Sequence, residues 1–180
     1  MTTLETLLTD PETSGAWAMV PDSSKIEFKT KNLWGVWPVK GRFTKFSGEG
    51  NLGDNGAVTG HIDIDVASLN TGIEKRDGHL RSPDFFDVER FPQIAVAVSG
   101  LQLGTGREAE LQTGFTIKGI TEPVRLPVTI TELADGSVRI SGTTQIKRSR
   151  FNLDWNKLGV MSDTVTVSAE AVFVQSTHAA

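Results

Sequence analysis

Arg76-Asp-Gly-His-Leu-Arg-Ser-Pro-Asp-Phe-Phe-Asp-Val-Glu-Arg-Phe-Pro92 breaks the pattern of everything around it. On either side, apolar and polar residues alternate with the period of a half-buried strand. Inside it, charges, the adjacent Phe85 and Phe86 and two prolines crowd together with no period of two. Leu80, Phe85 and Phe86, with Ile73, give a short helix one apolar face. Pro83 interrupts that helix, and Pro92 biases Phe91 toward extended backbone. The stretch reads as a short helix and loop that closes one end of a β structure.

Working outward, the flanking segments name the strands. Ile26 and Phe28 share one face of Lys25–Lys31, with Lys25, Glu27, Lys29 and Lys31 on the other. Phe43 and Phe46 are out of phase by one residue, which places a bulge or bend between them. Gly60-His-Ile-Asp-Ile-Asp-Val66 alternates most cleanly, turning Ile62, Ile64 and Val66 inward and His61 to solvent. After the central stretch the inward sets are Ile94, Val96 and Val98; then Leu111, Thr113, Phe115 and Ile117; then Val124, Leu126, Val128 and Ile130. Pro127 has no N–H for a ladder and marks an edge or a bulge. Val138, Ile140 and Ile146 belong to a further strand, and Val165, Val167, Ala169, Ala171 and Phe173 line the last. Gly53–Gly56, Gly104–Gly106 and Asp135-Gly136 are tight turns. About eight strands, short turns and one helical interruption predict an all-β fold, an antiparallel eight-stranded barrel. Residues 1–14 form an N-terminal arm, 15–175 the barrel domain and 176–180 a flexible tail. Leu4, Leu7 and Leu8 lie on one face of a helical turn in the arm, which the reading leaves loosely docked.

Composition narrows the function. A chain of 180 residues with 38% hydrophobic content suits one domain with one sizeable core. A formal charge of −4 argues against nucleic acid, whose phosphates need a basic face. There is no cysteine, hence no disulfide, no thiolate nucleophile and no cysteine metal site. The N-terminus has no basic segment followed by an apolar core, and no window has the length of a membrane-spanning helix. The expectation is a cytoplasmic location without stable membrane insertion. Nine Phe and four Trp with no Tyr suit a dry interior, in which no phenol demands a partner.

The central stretch resembles the signature of the YceI-like family of polyisoprenoid-binding, lipocalin-like barrel proteins, R-D-x-H-L-R-S-x-D-F-F-D-x-x-x-F-P. The matching residues are Arg76, Asp77, His79, Leu80, Arg81, Ser82, Asp84, Phe85, Phe86, Asp87, Phe91 and Pro92. Two further stretches are similar. Thr116-Ile-Lys-Gly-Ile-Thr-Glu-Pro-Val124 follows T-I-x-G-x-T-x-P-V, and Arg148-Ser-Arg-Phe151 follows R-S-x-F-G except that Asn152 replaces the glycine. Asn tolerates the left-handed backbone a glycine would have there. The resemblance implies a lipocalin-like barrel that holds an isoprenoid, either a polyprenyl chain or an isoprenoid quinone, or another long-chain lipid such as a fatty acid or amide, as carrier or store. It also implies dimerisation, for which no interface is legible, and many members of the family are periplasmic or secreted.

Chemistry finds little to work with. Of three histidines only His79 has carboxylates near it in sequence, and a metal-dependent site at His79, Asp84 and Asp87 competes with an ion-pair network involving Arg81 and Arg90. Ser82 beside His79 lacks a third group, and no nucleophile elbow, phosphate loop or H-E-x-x-H occurs. No catalytic residue, metal or cofactor is assigned. The ligand-binding set is Ile26, Phe28, Leu33, Trp34, Trp37, Phe43, Ile62, Ile64, Leu80, Phe85, Phe86, Val96, Val98, Phe115, Ile117, Phe151, Trp155 and Met161. The aromatic loops converge on the end closed by the central stretch, either lining a mouth there, together with Leu158, or plugging a filled barrel. In the first reading Arg81, Arg148 or Arg150 holds a phosphate or quinone head. In the second the protein is an adaptor that displays residues 76–92 to a partner.

Overall fold

The computed structural model describes residues 3–32, 37–155 and 161–176. A short helix α1 (Leu4–Thr9) precedes strands β1 (Gly15–Met19), β2 (Lys25–Asn32), β3 (Trp37–Phe43), β4 (Phe46–Leu52), β5 (Val58–Asp65) and β6 (Leu69–Asn70). Helix α2 (Glu74–Arg81) follows, then β7 (Gln93–Leu103), β8 (Glu108–Ile117), β9 (Ile120–Glu132), β10 (Val138–Lys147) and β11 (Thr164–Gln175).

The strands close into an eight-stranded antiparallel barrel because two walls are each made of two strands laid end to end. β11 pairs through Thr166–Glu170 with β2 and through Phe173–Gln175 with β1. Between β1 and β2 the chain kinks through the single turn Pro21–Ser23, set by proline at its first position. β3 and β4 form the next wall, broken at Thr44 and Lys45, where the phase of Phe43 and Phe46 demands it. From there each wall pairs with its sequence neighbour, β4 with β5, β5 with β7, and so on to β11, which closes onto β1.

The turns obey the local chemistry. Lys118 and Gly119 both have positive φ, 52° and 78°, the two-residue hairpin geometry that matches strand twist. Asn152 stands at φ 55° and ψ 25°, the left-handed conformation that its place in the motif requires. Pro127 marks a boundary. β9 pairs with β8 along nearly its whole length, but pairs with β10 only from Val128 to Glu132, so residues 120–127 have no β10 partner.

The interior divides into two clusters. One contains Leu52, Ala109, Leu111, Val128, Ile130 and Val138, together with the three leucines of α1. The arm is therefore part of the core. Leu4, Leu7 and Leu8 are at most 9% exposed, where loose docking was expected. Their helical spacing puts all three on one face, and the open barrel end offers apolar surface to receive it. The second cluster fills the α2 end with Phe43, Ile64, Val66, Leu69, Ile94, Phe115, Ile117, Phe151 and Leu153. Ile73 is the exception to the expected apolar face. It caps α2 from outside the first turn and is 52% exposed, because the helix begins one residue after it.

Candidate functional site

The barrel is hollow in the half beneath α1. A cavity of about 150 Å³ lies among Leu52, Ile62, Val96, Val98, Leu111, Leu126, Val128 and Ile140, with Leu7, Leu8 and Trp17 at its end. The reason for the void is which residues occupy the inward register positions. Gly50 of β4 faces Gly60 of β5, and β10 and β11 contribute Gly142, Ala169 and Ala171. At Gly50 the nearest foreign atom to an added Cβ is 3.6 Å away, so that wall is bare backbone. At Gly48, by contrast, the space is taken by Met19 Cε, 2.9 Å from such a Cβ.

Polar groups in this wall are satisfied. The Thr113 hydroxyl is buried and donates to the Val124 carbonyl at 2.7 Å. Glu49, Asn51, Thr59 and His61 border the cavity from strand positions whose side chains are exposed on the outer face. Nothing inside asks for a hydrogen bond. An apolar cavity of this kind stays dry and accepts a guest of about benzene's size, roughly one isoprene unit.

The opposite end is packed and tied. Phe28 lies 5.4 Å from Phe43 between ring centroids, and Phe43 lies 6.4 Å from Phe86. The Phe28 ring occupies the space in which a Cβ at Gly41 would stand, so the absence of a side chain at Gly41 is what lets the ring lie flat on β3. Asp77 is buried and accepts from the Thr71 amide and hydroxyl, while Arg76 donates to the same hydroxyl at 2.8 Å and to the Thr71 carbonyl at 2.9 Å. Arg81 donates to the carbonyls of Ala67 and Leu69. Asp87 adopts a positive φ of 51° and pairs with Arg90 at 3.5 Å. His79 Nε2 meets Asp84 Oδ2 at 2.8 Å, with Phe85 and Trp155 set edge-on against the imidazole. Among the described residues no group of three or more His, Asp or Glu is placed to hold a metal ion. The Ser82 hydroxyl donates to the His79 carbonyl and so is turned away from the ring.

Arg148 is 6% exposed, and carbonyls surround it. Its guanidinium donates to the carbonyls of Ser162 at 2.9 Å, Leu153, Trp155 and Met161, drawing both arms of the β10–β11 connection together. Burial raises the adjacent Asp163 carboxyl, but hydrogen bonds from Ser149 and the charges of Arg148 and Lys147 bring it below its ordinary value. Arg81 and Arg148 are thus spent on backbone, and Arg150 pairs with Glu122 across 3.9 Å. The expected head-group role finds these guanidinia engaged elsewhere.

Of the residues read from sequence as ligand-binding, Ile62, Val96 and Val98 line the cavity. Ile26, Phe28, Phe43, Ile64, Leu80, Phe86, Phe115, Ile117 and Phe151 belong to the packed cluster at the α2 end. Phe85 and Trp155 stack beside His79, 5.4 Å apart, and Met161 is half-buried. Leu33, Trp34 and Leu158 lie outside the described residues, as does the side chain of Trp37. Sequence reasoning missed Leu7, Leu8 and Trp17 as lining residues. It also missed the signal in Gly50, Gly60, Gly142, Ala169 and Ala171, a cluster of small residues at inward positions.

The model of the YceI-like domain family matches residues 17–173. A UPF0312 protein of Staphylococcus aureus strain USA300 is 31% identical over 144 residues, 74% of this chain and 80% of the relative. That of strain MW2 is 32% identical with the same coverage. Among solved structures, Burkholderia cenocepacia BcnA superposes with a TM-score of 0.79 at 27% identity, covering 86% of this chain and 98% of its own. A polyisoprenoid binding domain from Saccharophagus degradans, implicated in plant cell wall breakdown, gives a TM-score of 0.75 at 20% identity over 90% of this chain and 99% of that one. At that identity the likeness speaks for the fold.

Proposed function

The chain belongs to the YceI-like family, and from that premise we propose that its barrel binds the apolar chain of a lipid, holding it as carrier or store. The observation that carries this reading is the cavity of about 150 Å³, lined by apolar side chains and by the buried Thr113, whose hydroxyl is hydrogen-bonded to the strand backbone. Such a site discriminates against anything polar and rewards methyl and methylene surface. An isoprenoid fits that chemistry, as a polyprenyl chain or as the tail of a quinone. A fatty acyl chain is the competing occupant. The polyisoprenoid binding domain whose fold this chain shares supports the first.

Magnitudes limit how the ligand sits. Burial is worth about 0.8 kcal/mol per CH₂, so one isoprene unit yields roughly 4 kcal/mol, equivalent to a Kd near 1 mM. Stable holding therefore needs burial of more than the single unit the cavity accommodates. The protein is expected to open further around a longer chain.

Native mass spectrometry of the purified protein, before and after incubation with a short-chain isoprenoid quinone, tests the reading. We expect a one-to-one adduct, lost in Ala171→Phe, which fills the cavity, and retained in Lys29→Glu on the outer face. A clean unliganded mass in the unaltered protein after incubation, or equal adduct in both variants, would remove the lumenal site.

A further inference from the structure

The lid of this cavity is α1. Leu7 and Leu8 line its end, and with Leu4 they are buried against Leu52, Val128 and Val138 at the barrel rim. Yet among the described residues every hydrogen bond made by Leu4–Thr9 stays within the arm. Thr6 bonds to Thr3, Thr9 to Glu5, Asp10 to Thr6, and Thr13 to Leu7. Polar ties to the barrel begin only afterwards, where Gln175 donates to the carbonyls of Glu12 and Ser14 at 2.8 and 3.0 Å and Trp17 Nε1 donates to Thr13 at 2.9 Å. One flank of α1 borders a crevice of about 240 Å³ between Leu4, Leu7 and the β9–β10 turn. A helix of six residues does not persist in water alone, so α1 is ordered by docking.

We propose that α1 is a displaceable lid, and that Leu7 and Leu8 occupy the stretch of apolar wall that a ligand longer than one isoprene unit takes over. This rests on the cavity holding a chain. Displacement exchanges apolar surface for apolar surface and, among the described residues, breaks no hydrogen bond to the strands. It gives up the bond from the Thr13 hydroxyl to the Leu7 carbonyl, but that hydroxyl also donates to the Asp10 carbonyl at 2.9 Å, so the displacement is reversible. Residues 12–14, pinned by Gln175 and Trp17, are the fixed base from which it swings. Leu7 and Leu8 then set the chain length admitted at this end. The lid precedes residue 17, where the match to the family begins.

A reversible staple tests this. The chain has no cysteine of its own, and a Cβ built at Gly56 lies 4.0 Å from Leu8 Cβ, within disulfide reach. In Leu8→Cys/Gly56→Cys, uptake of farnesol and geranylgeraniol is followed in the oxidised and reduced forms of one preparation. Since φ at Gly56 is +80° and cysteine there is strained, Leu7→Ala/Leu8→Ala is measured in parallel. Oxidation is expected to slow uptake at least about tenfold by removing the open population, and reduction to restore it. The double alanine variant is expected to take up geranylgeraniol faster than the unaltered chain. Binding that is indifferent to the staple and to both alanines overturns the lid and leaves the cavity reading standing. Binding by no form, the unaltered protein included, overturns both.

Discussion

The two ends of the barrel are each crossed by a short helix, and the two are attached by different physics. At one end α1 contributes three leucines and, among the described residues, no hydrogen bond to the strands, above a cavity. At the other, α2 and the turns that follow it are held through Asp77, Arg76 and Arg81 to the backbone around Thr71 and Leu69, over side chains as buried as Phe151, Leu69 and Val66, each 1% exposed. Apolar contacts are non-directional and slide or exchange at little cost. Buried polar contacts are directional, and each one broken leaves a group desolvated without a partner. The barrel therefore has a floor and a lid, and the cavity sits under the lid.

The largest expected difference comes from truncating one side chain at each end. Phe151→Ala should cost about 3–5 kcal/mol of global stability, because the site is tied on all sides and closes poorly around the void. Leu4→Ala should cost no more than about 2 kcal/mol, since losses stop growing once α1 undocks. Denaturant melts give the first number, and amide exchange restricted to residues 4–9 shows the second as local opening. Equal global losses would erase the distinction. Next come two glycines. Gly41→Ala drives a methyl into the Phe28 ring and is expected to destabilise by about 1–3 kcal/mol. Gly50→Ala in the cavity half meets only the Thr59 carbonyl, at an ordinary contact distance of 3.6 Å, and should stabilise by roughly 0.5 kcal/mol, through lost chain entropy in the unfolded state, while shrinking the room for ligand. The smallest effect is in acid. The folded Asp163 carboxyl titrates below its ordinary value, so its contribution is present above the unfolded pKa and fades as pH falls through the folded one. Asp163→Asn should flatten the stability profile in that window by a small amount, read from thermal midpoints between weakly and strongly acidic buffers.

The barrel was legible because its evidence is local. Alternation at Ile62, Ile64 and Val66, turn residues such as Asp135-Gly136, the kink demanded by Phe43 and Phe46, the left-handed Asn152 and the edge at Pro127 are each decided within a few residues, and all stand in the structure. The central stretch closes one end as expected. What stayed hidden depends on distant partners. Three leucines in a polar arm carry no sign of where they land. The cavity needs Gly50, Gly60, Gly142, Ala169 and Ala171 to be superposed across four strands, a coincidence visible only once register is fixed. Arg148 reads as a surface cation until Leu153, Trp155, Met161 and Ser162 turn their carbonyls onto it. Aromatic density in loops pointed to the α2 end, yet large side chains fill space, and it is small ones that leave it.

The pairing of β11 with three strands at once has a consequence for how the molecule is made. β10 runs along one side of it from Thr164 to Phe173, while on the other side Thr166–Glu170 meet β2 and Phe173–Gln175 meet β1, so Trp17 and Gln175 become neighbours. Contacts of such sequence separation are slow to form. Until β11 is available, β10 has no partner on its far side and neither β1 nor β2 can close onto the rest of the sheet, so the lumen has no complete wall. The enclosed interior is therefore a product of the last strand, and apolar residues meant for it have no shelter before that strand arrives.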